Sequence, residues 1–221
     1  MKALVLREYM KLQIEEVPDP VLQKPDEMLV RIHAAAICGS DVHGMDGSTG
    51  RRIPPVIMGH EAAGEVLETG PAVRRFRKGD RITFDSTIWC GECFYCRRGE
   101  VNLCENRRVL GVSCAEYRQD GAFAPLLVIP ERIAYHLPEG MEYDTAALAE
   151  PVGVAAHSIR ITPFSPGQTA AVTGTGLIGL ILLQMLRAYS PHLILAFDTD
   201  PDRRAAALRV GADMALDPSD P

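Results

Sequence analysis

Four of the six cysteines in this 221-residue chain fall in one short stretch, Cys90-x2-Cys93-x2-Cys96-x7-Cys104. Two residues between thiols let a tight turn aim both sulfurs at one tetrahedral ion, and Gly91 and Gly99 supply the backbone freedom such turns need. Loose thiols are one competing reading, and an iron-sulfur cluster is another. The usual cluster run of C-x2-C-x2-C-x3-C-P does not match the long last gap. Zinc is therefore expected here, and four protein sulfurs close the site to water, so the ion should hold a loop in shape and do no chemistry. Cys114 is left over and is expected to be a small buried apolar residue.

Two further clusters set metal-competent side chains beside glycines: Cys38-Gly39-Ser40-Asp41-Val42-His43 and Gly59-His60-Glu61-Ala62-Ala63-Gly64. With Glu150-Pro151 they could build an open site of sulfur, nitrogen and carboxylate that leaves room for a water. A third cluster, Gly174-Thr175-Gly176-Leu177-Ile178-Gly179, lies between a strand-like run and a helix-like run. In that context Gly174 allows a tight turn, Gly176 lets a pyrophosphate approach bare backbone, and Gly179 lets helix and strand close up, with the helix N-terminus facing the phosphates. Asp198 ends the next apolar run, where a carboxylate can accept the ribose hydroxyls of NAD and repel the 2'-phosphate of NADP. Arg203 and Arg204 follow one turn into the next helix and could instead favour NADP or simply face solvent.

The elements that must position these groups change character along the chain. The first half alternates in short strands, Lys2–Leu6, Leu12–Val17 and Met28–Ala34, with further strand-like runs at 62–69, 80–84, 122–129 and 133–137, as expected of an antiparallel barrel. Helical periodicity runs from Thr145 to Ile159. A strand at Ala170–Thr173, a helix to Tyr189, a strand at Leu193–Phe197, a helix at Arg203–Val210 and a short strand at 213–216 then read as the start of a parallel α/β sheet. The composition is that of an ordinary globular chain, with 47% hydrophobic and 24% charged residues. A net charge of −6 argues against nucleic acid as a partner, because neutralising phosphates requires a basic face. No run approaches the ~18 apolar residues of a membrane span, so no membrane partner and a cytoplasmic location are expected.

The CGSDVH box, GHEAAG, the four-cysteine lobe, the Ala149-Glu150-Pro151 box and the glycine loop occur together and in order. On these motifs the sequence resembles the zinc-dependent medium-chain alcohol and polyol dehydrogenases, the group containing sorbitol and threonine dehydrogenases. The resemblance implies an α/β fold with a GroES-like, barrel-like catalytic domain over 1–157 and a partial Rossmann domain over 158–221. It implies two zinc ions per chain, NAD in preference to NADP, and a small alcohol, polyol or sugar substrate. By the same resemblance Cys38 and His60 are catalytic zinc ligands, with carboxylates from Glu61 and Glu150, directly or through water. The ion would polarise a substrate hydroxyl whose carbon gives hydride to nicotinamide, while Ser40 takes the proton and His43 passes it to solvent. Asp41 would support a ligand or the turn rather than react. Family members carry six strands in the nucleotide domain and are commonly homo-oligomers, so the resemblance also implies a chain truncated at its C-terminus. A zinc-binding scaffold or partner subunit without activity is the alternative.

Overall fold

The computed structural model describes residues 1–114 and 117–220. The N-terminal alternation forms β1 (Lys2–Glu8), β2 (Lys11–Glu16) and β3 (Glu27–Ala36); helix α1 (Gly39–Gly44), β4 (Val56–Ile57), β5 (Glu61–Thr69) and β6 (Arg81–Phe84) follow. The cysteine lobe opens with β7 (Thr87–Ile88), contains the single turn α2 (Phe94–Arg97), and closes with β8 (Arg108–Val109), which pairs antiparallel with β7. Then come β9 (Leu126–Pro130), β10 (Ala134–His136) and α3 (Tyr143–Ala147). Strands β2-β1-β4 form one antiparallel sheet and β10-β6-β5-β3-β9 a second. Inward residues of the larger sheet, Met28, Val30, Val66, Ile82 and Ile129, with Ile133 from the turn just before β10, are fully buried and make the main core of the first compact unit, Met1–Glu150.

Helix α4 (Ala149–Ile161) leads into the second unit, Pro151–Pro221. There β11 (Thr169–Thr173), α5 (Leu177–Arg187), β12 (Leu193–Phe197), α6 (Pro201–Val210) and β13 (Met214–Leu216) follow in βαβαβ order, with a parallel sheet in the order β11-β12-β13. Leu183 and Leu186 of α5 and Ala207 of α6 pack with Val172, Ile194 and Ala196 of the strands. Asp200 caps α6 by accepting the N–H groups of Asp202 and Arg203, and Pro201 occupies the first helical position, where its missing N–H costs nothing.

The mixed α/β class is as expected, and two local expectations are corrected. The strand expected over 122–129 begins only at Leu126, because the preceding segment gives the N–H groups of Ala122 and Phe123 to Gly59 and Met58 outside any ladder. The single helix expected from Thr145 is two, broken at Leu148. Pro151 lacks an N–H and fits only the first turn of a helix, so a new helix must start just before it. Residue 157, where a domain boundary is expected, lies within α4, and the compact units are Met1–Glu150 and Pro151–Pro221.

Strands β3 and β5 cross closely at Gly64, where an added Cβ would lie 2.1 Å from the Arg31 carbonyl oxygen. Gly64→Ala should therefore lower the urea-unfolding midpoint by the equivalent of roughly 1–3 kcal/mol, and an unchanged midpoint would contradict so close an approach.

Candidate functional site

Register builds the first site. In the β3–β5 ladder Ala36 stands opposite Glu61, so Cys38, two residues beyond the end of β3, faces His60 and Glu61 at the start of β5. Gly59 takes a φ of +93°, a turn glycine tolerates without strain, immediately before the histidine. One ligand atom each from Cys38, His60 and Glu61 lies within 4.8 Å of the others. His60 is 7% exposed, Glu61 1%, and Cys38 is half-buried. Glu61 Oε2 is buried with no hydrogen-bond partner among the described residues. A buried carboxylate oxygen left unpaired is costly, and a cation held with a sulfur and an imidazole nitrogen would relieve it, so this donor set fits a metal such as zinc.

Asp41 lies behind these groups, 1% exposed. It accepts the Cys38 N–H at 3.2 Å and a guanidinium N–H of Arg52 at 3.2 Å, and it stands 3.4 Å from His60 Nδ1. Burial alone would raise its carboxyl, but His60 and Arg52 outweigh this and hold it below the usual carboxylate range. His60 shows the counterpart: burial would lower the ring, and the Asp41 charge raises it instead. Ser40 Oγ lies 3.4 Å from His60 Nε2 and 3.5 Å from Arg52 Nη2. Arg52, 3% exposed, is the residue that sequence reading missed. Its stem passes over Gly44, where a Cβ would sit 2.5 Å from Arg52 Cγ, and no local spacing signals such a fit.

The other expected groups are less closely gathered. Glu150 is half-buried and stays outside the three-residue cluster. Burial pushes its carboxyl up, His60 pulls it back, and the nearby charges of Glu61, Asp85 and Asp41 add to the rise. His43 is exposed on α1, and its ring makes no hydrogen bond among the described residues. In the lobe, the four sulfurs of Cys90, Cys93, Cys96 and Cys104 lie within 4.8 Å of one another. Backbone N–H groups of Glu92 and Cys93 hold Cys90 down at about 6, while burial and the neighbouring thiols push Cys96 up to about 12. Four thiols so close cannot all ionise without a cation, and the N–H groups already favour thiolate. Cys114 is half-buried rather than buried as expected.

In the second unit Gly174 has a φ of +85°, and a Cβ on Gly179 would lie 2.0 Å from the Gly174 carbonyl oxygen. Around Gly176 a Cβ would meet nothing within 4 Å, so the protein's own packing does not demand that glycine. The first N–H groups of α5, at Leu177 and Ile178, have no intrahelical partner, and no side chain caps them. The open backbone fits an anion. Asp198, 8% exposed, is engaged inside the protein: Oδ2 accepts the N–H and hydroxyl of Thr175 at 2.8 and 3.1 Å, and Oδ1 accepts the Asp200 N–H at 3.0 Å. Three of its roughly four acceptor positions are taken, which leaves one for a ribose hydroxyl rather than two. Arg203 is exposed, 4.0 Å from Asp198 Oδ2. Arg204 does not simply face solvent: it donates to the Asp198 carbonyl and to Asp217, both at 2.8 Å.

Two outcomes follow. In metal-free protein the Asp41–His60 pair adds stability between about pH 4 and about pH 6.5. Below that window the contribution is lost as Asp41 protonates at its depressed value, and above it as His60 deprotonates at its raised value. Asp41→Asn should flatten both limbs of urea midpoint against pH, measured with chelator present, and unaltered limbs would exclude the pair as their source. Gly179→Ala should destabilise by roughly 1–3 kcal/mol, whereas Gly176→Ala should stay within about 1 kcal/mol of the parent.

Residues 24–139 match the family model for the alcohol dehydrogenase GroES-like domain. The chain is 38% identical over 213 residues to "Probable D-xylulose reductase A" of Arthroderma otae, covering 95% of this chain and 59% of that protein. It is 34% identical over 215 residues to the sorbitol dehydrogenase of Bacillus subtilis, covering 96% and 60%. Among solved structures, a Sinorhizobium meliloti protein assigned as a zinc-binding dehydrogenase and bound to NADP superimposes with a TM-score of 0.90 at 35% identity, covering 99% of this chain and 62% of that one. The chain thus spans about three-fifths of the length of the proteins it matches. With the GroES-like match over half its residues and these relatives along nearly all of it, the chain belongs to the zinc-dependent medium-chain alcohol dehydrogenase family.

Proposed function

We propose that this chain carries the metal site and the adenosine side of the nucleotide site of a zinc-dependent dehydrogenase that exchanges hydride between an alcohol, polyol or sugar hydroxyl and NAD(H). The observation that carries the reading is the buried Cys38–His60–Glu61 cluster with its unpartnered Glu61 oxygen. Cys38, His60 and Glu61 would hold the catalytic zinc, with Glu150 as the exchangeable carboxylate nearby, and Cys90, Cys93, Cys96 and Cys104 would hold a second, structural zinc. Bound in the first site, zinc would supply Lewis-acid polarisation of an alcohol oxygen, and NAD would supply the hydride acceptor.

The chain's own residues do the rest. Asp41 sets its charge 3.4 Å from His60 Nδ1, favouring that ring orientation, and ties the Cys38 backbone to α1. Ser40, its hydroxyl against His60, takes the substrate proton. His43, exposed on the same helix, passes it to solvent near neutral pH. In the second unit the bare backbone from Gly174 to Gly179 receives the pyrophosphate. The Asp198 carboxylate favours the ribose hydroxyl of NAD and disfavours the 2'-phosphate of NADP, against the weaker pull of exposed Arg203. Six unpaired thiols suit a reducing, cytoplasmic setting.

The test is zinc content per chain on purified protein, with Cys38→Ala beside it and turnover measured on an alcohol and polyol panel with NAD and with NADP. Two zinc ions falling to one in the variant are expected. A single zinc unaffected by Cys38→Ala would overturn the catalytic centre and favour a zinc-binding scaffold.

A further inference from the structure

A groove of about 770 Å³ runs across the first unit, with none of Cys38, His60 or Glu61 in its wall. Its size is that of a small-molecule site, and Pro18, Pro20, Pro55 and Pro130 line it, four positions at which φ is restricted and no N–H is offered.

Cations outnumber carboxylates in the lining of the groove. The molecule as a whole is at −6, yet five cationic side chains and three carboxylates face this space. Of the carboxylates, Asp19 is paired with the N-terminal ammonium at 2.8 Å, while Glu27 keeps its charge and accepts the N–H groups of Gln23 and Lys24, and Asp120 keeps its charge and accepts the Ile57 N–H at 3.1 Å. Two of the cations are neutralised by partners, Arg7 by Glu15 and Arg132 by Asp26. Three are not. Among the described residues Arg108 is bonded only to the Arg118 carbonyl and Arg118 only to the Pro55 carbonyl, both at 3.0 Å, and the Lys24 ammonium has no partner. One carbonyl contact holds each guanidinium in place while leaving further N–H groups free, and a planar fork with free donors is the group that recognises carboxylate and phosphate in pairs of bonds. Beside these donors the walls are apolar, with Val21, Ile57, Ile88 and Leu127. Ile88 is the ladder partner of Arg108, so the apolar and cationic walls meet at one strand pair.

We infer that this groove binds a small organic oxyanion, a carboxylate or phosphate group carried on a compact body, through Arg108, Arg118 and Lys24. The site is separate from the dehydrogenase centre and does not depend on it.

The experiment is calorimetric titration of the 221-residue chain with citrate and with succinate at a fixed ionic strength of about 0.15 M. One saturable equivalent is expected for at least one probe. Arg108→Gln and Arg118→Gln should each weaken it about tenfold or more. Arg108→Lys, which keeps the charge and loses the fork, should fall between, and Lys24→Gln should cost a few-fold. Arg98→Gln serves as the control, because Arg98 is exposed, packs over Phe94 and lies outside the groove. Circular dichroism reports folding, and if either glutamine variant is unfolded, Arg108→Lys and Lys24→Gln carry the test. Absence of saturable binding up to about 10 mM of both probes, or an equal loss in Arg98→Gln, would overturn the inference.

Discussion

The antiparallel register of β3 and β5 is the constraint on which the first site depends. It sets Ala36 against Glu61, so groups more than twenty residues apart in sequence arrive at one point with no loop having to find its place. A shift of one residue would send every side chain of β5 to the opposite face and take Glu61 out of the core. The close crossing at Gly64 holds this register, as do the hydrophobic residues of the same two strands, Met28, Val30 and Val66. Stability and site geometry are therefore the same fact at this ladder: what packs the sheet also aims the ligands.

Both metal-competent clusters bring electron-rich groups closer together than they would settle unaided. In the lobe, backbone N–H groups favour thiolate at Cys90 while crowding opposes it at Cys96. In the first site, Arg52 and Asp41 form a buried charged pair behind the histidine, and Glu61 is left with an unanswered oxygen. A cation bound among such donors would offset their crowding, so metal affinity and folding would be linked.

The sequence was most legible where chemistry is local. The four-cysteine spacing, the glycine loop and the parallel-sheet pattern depend on neighbours a few residues apart, and the structure forms each where its spacing indicates. Boundaries set by long-range contacts were not legible. The segment from Gly121 to Pro125 has strand-like residues yet gives its hydrogen bonds to the turn at Gly59, an outcome no periodicity encodes. Arg52 is buried because a glycine on α1 leaves room for it, and Asp198 is occupied by Thr175, a partner 23 positions away. The break between α3 and α4 could have been read from Pro151, whose chemistry was in plain view.

The Thr175–Asp198 bonds also bear on recognition in the second unit. Loops that wrap phosphates commonly lose conformational freedom on association, and that entropy is subtracted from affinity. Here the turn at Gly174 is closed by the Phe197 carbonyl and clamped by the buried Asp198 carboxylate, both from within the protein. Association with this loop would then be governed by the contacts it makes rather than by the cost of ordering it, and arrival would resemble docking onto a rigid surface more than the folding of a flap.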